Sequence, residues 1–342
     1  MKLLFALLIL ISLTQGSSAQ TNVPDYKIAN RIQLPGNGGW DYLTVDETRG
    51  RLFVSHGTMV QVVDLNTKAL AGTIENTMGV HGIAVANNLN KGYISNGRDT
   101  SVTVFDLKTL KFLSRIKITG MNPDAILYDQ LSHHVFTFNG RTSNSTVIDA
   151  LTDKVIGTIP LDGKPEFSAT NGKGKVYVNI EDKSEICMIN STTLKVEHSW
   201  PIAPGEEPSG LAIDNENHRL FSVCSNKLMI VTDAETGKVI TTLPIGDRCD
   251  GVAFDAVKKR IYSSNGDGTM TIVQQKSKDL YEVIGNFETQ KGARTIAVNN
   301  KSNCAYLTTA EFEAPSPSKD NQRQRPAIKP NTFVVLEVKC LK

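Results

Sequence analysis

Seven polar residues recur at steps of 40 to 44 positions along the chain: Asp41, His81, Asp124, Glu166, Ser209, Asp250 and Arg294. Four are acids, one is a histidine and one is an arginine. If the fold gathers them around one axis, the carboxylates repel one another. Relief comes either from protons, held through raised pKa values, or from a cation. Asp41, His81, Asp124, Glu166 and Asp250 offer the oxygen and nitrogen donors that a divalent cation takes. A small polar ligand fits the same set, with His81, Asp41, Asp250 and Arg294 as the candidate catalytic groups for acid–base and electrostatic work. The plain alternative is a solvated ring whose Asp and Arg side chains join neighbouring repeats. The mixture of residue types argues for chemistry, because a purely structural repeat reuses one type.

The elements that position these residues are strands. Third-strand segments repeat through the chain, as in VQVVD ending at Asp64, VTVFD at Asp106, STVID at Asp149, ICMIN at Asn190 and MIVTD at Asp233. TIVQQ and FVVLE continue the series at Gln274 and Glu337. The steps are 41 to 43 residues until the last, which is 63 because of an extra segment. Four strands in about 42 residues make one propeller blade, whose two faces are buried only by packing against neighbouring blades. First, second and third strands can each be counted seven times. The last repeat lacks a fourth strand, and Tyr26 to Gly36 (YKIANRIQLPG) resembles the fourth strand KVIGTIPLDG at Lys154 to Gly163. The expected fold is therefore all-β: a seven-bladed β-propeller of four-stranded blades, closed by the N-terminal strand, which also removes exposed edges.

The second strands read FVSH, YISN, FTFN, YVNI, FSVC, YSSN and YLTT. They resemble the YVTN-type repeat of the YncE-like β-propeller proteins, over essentially the whole chain after its first residues. His56, Ile180, Cys224 and Thr309 depart from the asparagine of that repeat. The resemblance implies the fold and leaves the chemistry open, since such propellers host many functions.

In a propeller, first strands start and second strands end at the top mouth of the central channel. That geometry makes the seven-residue column a ring and adds candidate ligand contacts around it: Trp40, His56, Asn139, Asn265 and Glu181, beside Asp124, Glu166 and Ser209. Residues 311–331 (EFEAPSPSKDNQRQRPAIKPN) interrupt the last blade on the same face and bring Glu311 to the mouth. A loop of this length is either functional, here as a lid, or a floppy surface segment. Cys224 and Cys249 are expected to be neighbours at the mouth, close enough for a disulfide or left as two thiols. There are 5 cysteines and no CxxC spacing, so a structural zinc site has no support.

Lys2, the apolar run Leu3 to Leu13 and the small residues Ser17-Ser18-Ala19 read as a signal peptide over residues 1–19. The expected mature chain is one propeller domain over 20–342, periplasmic or secreted, with no membrane span after signal removal. A net charge of +2 gives no basic field for nucleic acid, which an acidic mouth would repel. No GxSxG elbow is present, GNGG at Gly36 to Gly39 opens no helix, and Asn265-Gly266-Asp267-Gly268 reads as a hairpin turn rather than a calcium loop. His133-His134 and His218 fall in bottom-face turns. The expected function is binding of a small-molecule ligand or divalent cation at the mouth. A metal-assisted hydrolase, lactonase or lyase at the same place, and a protein-interaction scaffold on the outer loops, are the alternatives.

Overall fold

A computed structural model of the chain describes residues 25–314 and 326–341. The expected signal segment and the middle of the insertion lie outside the described residues. Seven four-stranded antiparallel sheets are present. Their first strands are Trp40–Asp46, Val80–Ala86, Pro123–Asp129, Pro165–Thr170, Pro208–Asp214, Cys249–Asp255 and Ile296–Asn299. Each packs on its two neighbours in this order, and Ile296–Asn299 packs back on Trp40–Asp46, so the ring is closed. The outer strand of the seventh sheet is Tyr26–Gln33, which pairs antiparallel with Val334–Cys340. The seven-bladed propeller, with its two chain ends joined in one blade, is thus the observed fold. Among the described residues no helix is long and apolar enough to cross a membrane.

The core lies between blades rather than within them. Phe136 and Phe138 of blade three, for example, pack with Val176, Val178 and Ile180 of blade four. Third strands end in an acid or amide for a local reason. Asp64 and Asp233 accept backbone N–H bonds from the two residues that follow the strand by two and three positions. Asn190 does the same, and these side chains build the turns into the fourth strands.

One feature of the second strands decides what reaches the channel. Asn96 donates to Ser101 and Thr103, Asn139 to Asn144 and Thr146, and Asn265 to Thr269 and Thr271. Each amide therefore clamps its strand to the third strand of its own blade. Replacing Asn139 with alanine strands the polar groups of a buried pair, which costs about 1–3 kcal/mol. The expected result is a lower melting temperature with the titration of His81 unchanged, read by calorimetry and NMR on the same sample.

Candidate functional site

The mouth is shaped by a backbone irregularity shared by the first strands of blades one to six. In blade one Trp40 pairs with His56 and Leu43 with Val54, so Asp41 and Tyr42 together oppose Ser55. Such a bulge re-aims side chains, here toward the axis. The Ser55 hydroxyl accepts the Asp41 N–H at 2.9 Å and donates to the Tyr42 carbonyl at 3.2 Å. Ser95 and Ser264 fill the same position in blades two and six. They donate to the carbonyls of Asp124 (2.6 Å) and Arg294 (2.5 Å), tying each bulge to the next blade.

Held this way, five of the seven column residues form a linked charged arc, and Glu166 stands beside it within the field of Asp124. His81 Nδ1 lies 2.7 Å from Asp41 Oδ2 and 3.6 Å from Asp124 Oδ1. Arg294 Nε donates to Asp250 Oδ2 at 2.6 Å, and its Nη2 lies 3.8 Å from Asp41 Oδ1. Lys164 reaches Glu166 Oε1 at 2.7 Å and also bonds Glu181. Asp41, His81 and Asp124 each offer one donor atom within 4.8 Å of the others, a spacing that a single cation can bridge. Ser209 is the weak member: its hydroxyl makes one 3.4 Å contact, to the Cys249 carbonyl.

The electrostatics follow from burial among like charges. Burial alone would lower the His81 pKa, but the bond to Asp41 and the charges of Asp124, Asp41 and Glu166 outweigh it and hold it at about 9. Burial and then the Asp41 charge push Asp124 up to about 7, against the pull of His81. Burial and the Asp124 charge push Glu166 up to about 8, despite Lys164. Asp250 is raised by burial, which its Arg294 partner only partly offsets. The side chains of Asp41, Asp124 and Glu166 keep 19, 18 and 14% exposure, so water still enters the mouth. At neutral pH the ring thus relieves its repulsion with protons and three cationic side chains.

Five expected contacts fall elsewhere. Trp40 turns away from the axis and packs on Phe333 at 5.5 Å and Phe312 at 6.1 Å, although its carbonyl accepts a bond from Arg294. His56 is fully buried, stacks on Phe333 at 4.0 Å and bonds Gln61 through Nδ1, and burial lowers its pKa. Asn139 and Asn265 are spent within their blades, as above. Glu311 bonds Lys329 across the base of the insertion, where Phe312 and Ile328 form a bridge. For His56, Asn139 and Asn265 the reason is strand alternation: at the end of a second strand the side chain points to a face of its sheet and is used there, not in the channel. Cys224 and Cys249 are neighbours but carry no bridge. The Cys249 thiol points at the Cys224 carbonyl, 3.1 Å away, and burial pushes both thiols up to about 12. The discounted histidines do bond locally: His134 donates to the Ser191 carbonyl and His218 meets Glu235.

Lys164 and Tyr42 belong to the mouth and were not expected there. Lys164 stands two residues before its column. Tyr42 stands one residue after, in a column that otherwise reads Gly82, Ala125, Phe167, Gly210, Gly251 and Thr295. Two aromatic rings among small residues were the available signal. Gly97 also matters, because a Cβ there would come within 2.7 Å of His81 Nε2. Gly97→Ala is expected to displace the imidazole from its 2.7 Å contact with Asp41 and so to lower the His81 pKa below about 9. Its effect on melting should be small, and paired titration and melting curves check both.

No family model matches the chain. It is 27% identical over 195 residues to Antigen Lp49 of Leptospira interrogans serogroup Icterohaemorrhagiae serovar copenhageni, an alignment covering 51% of this chain and 40% of that protein. The match thus spans less than half the length of that relative. Among solved structures, a chain of Kuenenia stuttgartiensis hydrazine synthase superposes with a TM-score of 0.70 at 17% identity, covering 86% of this chain and 96% of that one. A chain of the mitotic checkpoint complex gives 0.72 at 12% identity, covering 90% of this chain and 95% of that one. U3-55K gives 0.73 at 8% identity, with 90 and 98% covered. Similarity at these identities shows a shared propeller fold and carries no activity with it.

Proposed function

We propose that the protein binds a divalent cation at the top mouth of its channel, through Asp41, His81 and Asp124. The observation that carries this reading is the convergence of three donor atoms within 4.8 Å, from three consecutive blades. One imidazole nitrogen with two carboxylates favours Zn²⁺, Mn²⁺ or Co²⁺ over Ca²⁺ or Mg²⁺, which prefer oxygen alone. His81 Nδ1 and Asp41 Oδ2 meet at 2.7 Å, and a cation held by both atoms would replace the proton between them. Asp250 and Glu166 stand beside the triad already engaged, Asp250 by Arg294 and Glu166 by Lys164.

A binding role fits better than acid–base turnover in the cation-free protein. His81 at about 9 holds its proton at neutral pH, so it is an acid and not a base there. Two cavities of about 660 and 300 Å³ lie away from the mouth, lined respectively by residues such as Leu110 and Phe112 and by Tyr177 and His218. The mouth itself suits an ion or a small ligand. Calorimetric titration of purified protein with Zn²⁺ and Mn²⁺ tests the reading. One equivalent bound, with a rise in melting temperature, is the expected result; no uptake and no stabilisation by either ion would overturn it.

A further inference from the structure

Tyr42 belongs to blade one and Phe167 to blade four, which are not neighbours in the ring. Their rings nevertheless stack, with centroids 4.0 Å apart and planes 24° apart, so they meet across the channel. Each follows a ring member directly, Asp41 or Glu166, and so lies one layer deeper than the charged arc. Blades two, five and six leave no room for a side chain in this layer, since a Cβ at Gly82, Gly210 or Gly251 would approach neighbouring atoms within 2.9 Å, and blades three and seven place only the small Ala125 and Thr295 there. The pair therefore forms a floor beneath the mouth.

Tyr42 is only 8% exposed, yet its hydroxyl has no hydrogen-bond partner. A buried unpaired hydroxyl costs free energy in the empty site, and a bound acceptor recovers it. Asp124, Asp41, Glu166 and Asp250 all act on it by charge, so the hydroxyl lies beneath the arc within the field of its carboxylates. Above it, Arg294 spends Nε on Asp250 and Nη2 on the Trp40 carbonyl and Asp41, and Nη1 makes no hydrogen bond among the described residues. Two donors beside the arc, the Tyr42 hydroxyl and Arg294 Nη1, are therefore without an acceptor among the described residues.

We propose that Tyr42 is a ligand-contacting residue, and that the mouth takes a small carboxylate bound to the cation. The carboxylate oxygen accepts from the Tyr42 hydroxyl, Arg294 supplies a second N–H, and the stacked Phe167 fixes the phenol. The proposal rests on the cation reading above. It adds that the bound state is a three-part complex of protein, cation and oxyanion.

Co²⁺ serves as the spectroscopic ion and glycolate as the probe, with the full-length protein. Co²⁺-loaded wild type is expected to change its visible spectrum on glycolate addition. Tyr42→Phe keeps the ring and its stacking and removes one oxygen atom. It should bind Co²⁺ within about threefold of wild type and bind glycolate roughly ten- to a hundredfold more weakly, the scale of a hydrogen bond to a charged group. Equal glycolate affinity in Tyr42→Phe overturns the proposal and leaves cation binding intact. Co²⁺-loaded wild type that ignores glycolate does the same. Wild type that takes up no Co²⁺ fails at the earlier step, and the cation reading falls with it. Phe167→Leu keeps the hydroxyl and loosens its support; it should also lose glycolate affinity, and an unchanged value there overturns the role of the floor. Melting curves establish that both variants are folded.

Discussion

Asp41→Asn is expected to lower Zn²⁺ affinity by at least about a hundredfold, while the chain stays folded. The lower bound comes from supporting residues, whose loss typically costs 10- to 100-fold; a direct ligand should cost no less. Asp41 has two tasks. It donates an oxygen to the triad and it faces both His81 and Arg294, at 2.7 and 3.8 Å. Without its charge the site keeps two cationic side chains against Asp124 and Asp250, so the excess negative charge that draws in a cation is gone. The imidazole reports the change independently. Among the influences that raise its pKa, the Asp41 bond comes first, so NMR titration should find the His81 value well below about 9 in the variant. Ser209→Ala is the matched control. It alters the same ring but removes only a hydroxyl whose single contact is 3.4 Å long. Zn²⁺ binding by Asp41→Asn equal to wild type would remove Asp41 from the site.

The blade repeat made the ring legible before any coordinates. A period near 42 residues fixes which residues share a level, and that was enough to bring Asp41, His81 and Asp124 together from three blades. Side-chain direction at a strand end was harder to read. Asn139 and Asn265 share the top level with the ring but face into their sheets, because the preceding Phe138 and Ser264 already take the other face. His56 fails for the same reason, and its stack on Phe333 required knowing that blade seven packs there. Trp40 precedes the bulge, and the bulge changes the direction of Asp41 and Tyr42 only. Tyr42 and Phe167 were visible as residue types but not as partners, since contact across the axis depends on the channel width. Lys164 is off the column by two residues and enters through a long flexible side chain, which no periodicity records.

Raising the pH from about 5 to 9 is expected to destabilise the cation-free protein at the mouth and to strengthen its hold on Mn²⁺ over the same range. The sign follows from the direction of the shifts. Asp124 and Glu166 keep protons up to about 7 and about 8, whereas an unfolded carboxylate loses its proton near 4. His81 keeps its proton to about 9, against about 6.5 unfolded. Between these limits the folded chain binds more protons than the unfolded chain, so stability falls as pH rises. The contribution of these three groups is complete below about pH 4. The carboxylate part is lost as pH passes 7 and 8, and the imidazole part as it passes 9. Arg294 and Lys164 face these groups and limit the loss, Asp41 adds to it by raising Asp124 and His81, and water in the mouth reduces it. A decline of several degrees in melting temperature is the expected size, since 1 kcal/mol corresponds to about 2–4 °C in domains of 150–250 residues and to less in a larger one. Asx-turn carboxylates such as Asp64, whose pKa is lowered by the N–H bonds it accepts, act only at lower pH and do not blur the trend. Mn²⁺ competes for the groups those protons occupy, so its affinity should climb by about tenfold per proton displaced for each pH unit. Added Mn²⁺ should therefore cancel most of the alkaline decline. Melting curves at pH 5, 7 and 8.5, with and without 1 mM Mn²⁺ (about a thousandfold over a micromolar site), measure both halves. A melting temperature that rises with pH without the ion would show that the ring carries ionised carboxylates with no cost. A stabilisation by Mn²⁺ that does not grow with pH would show that the ion binds somewhere other than Asp41, His81 and Asp124.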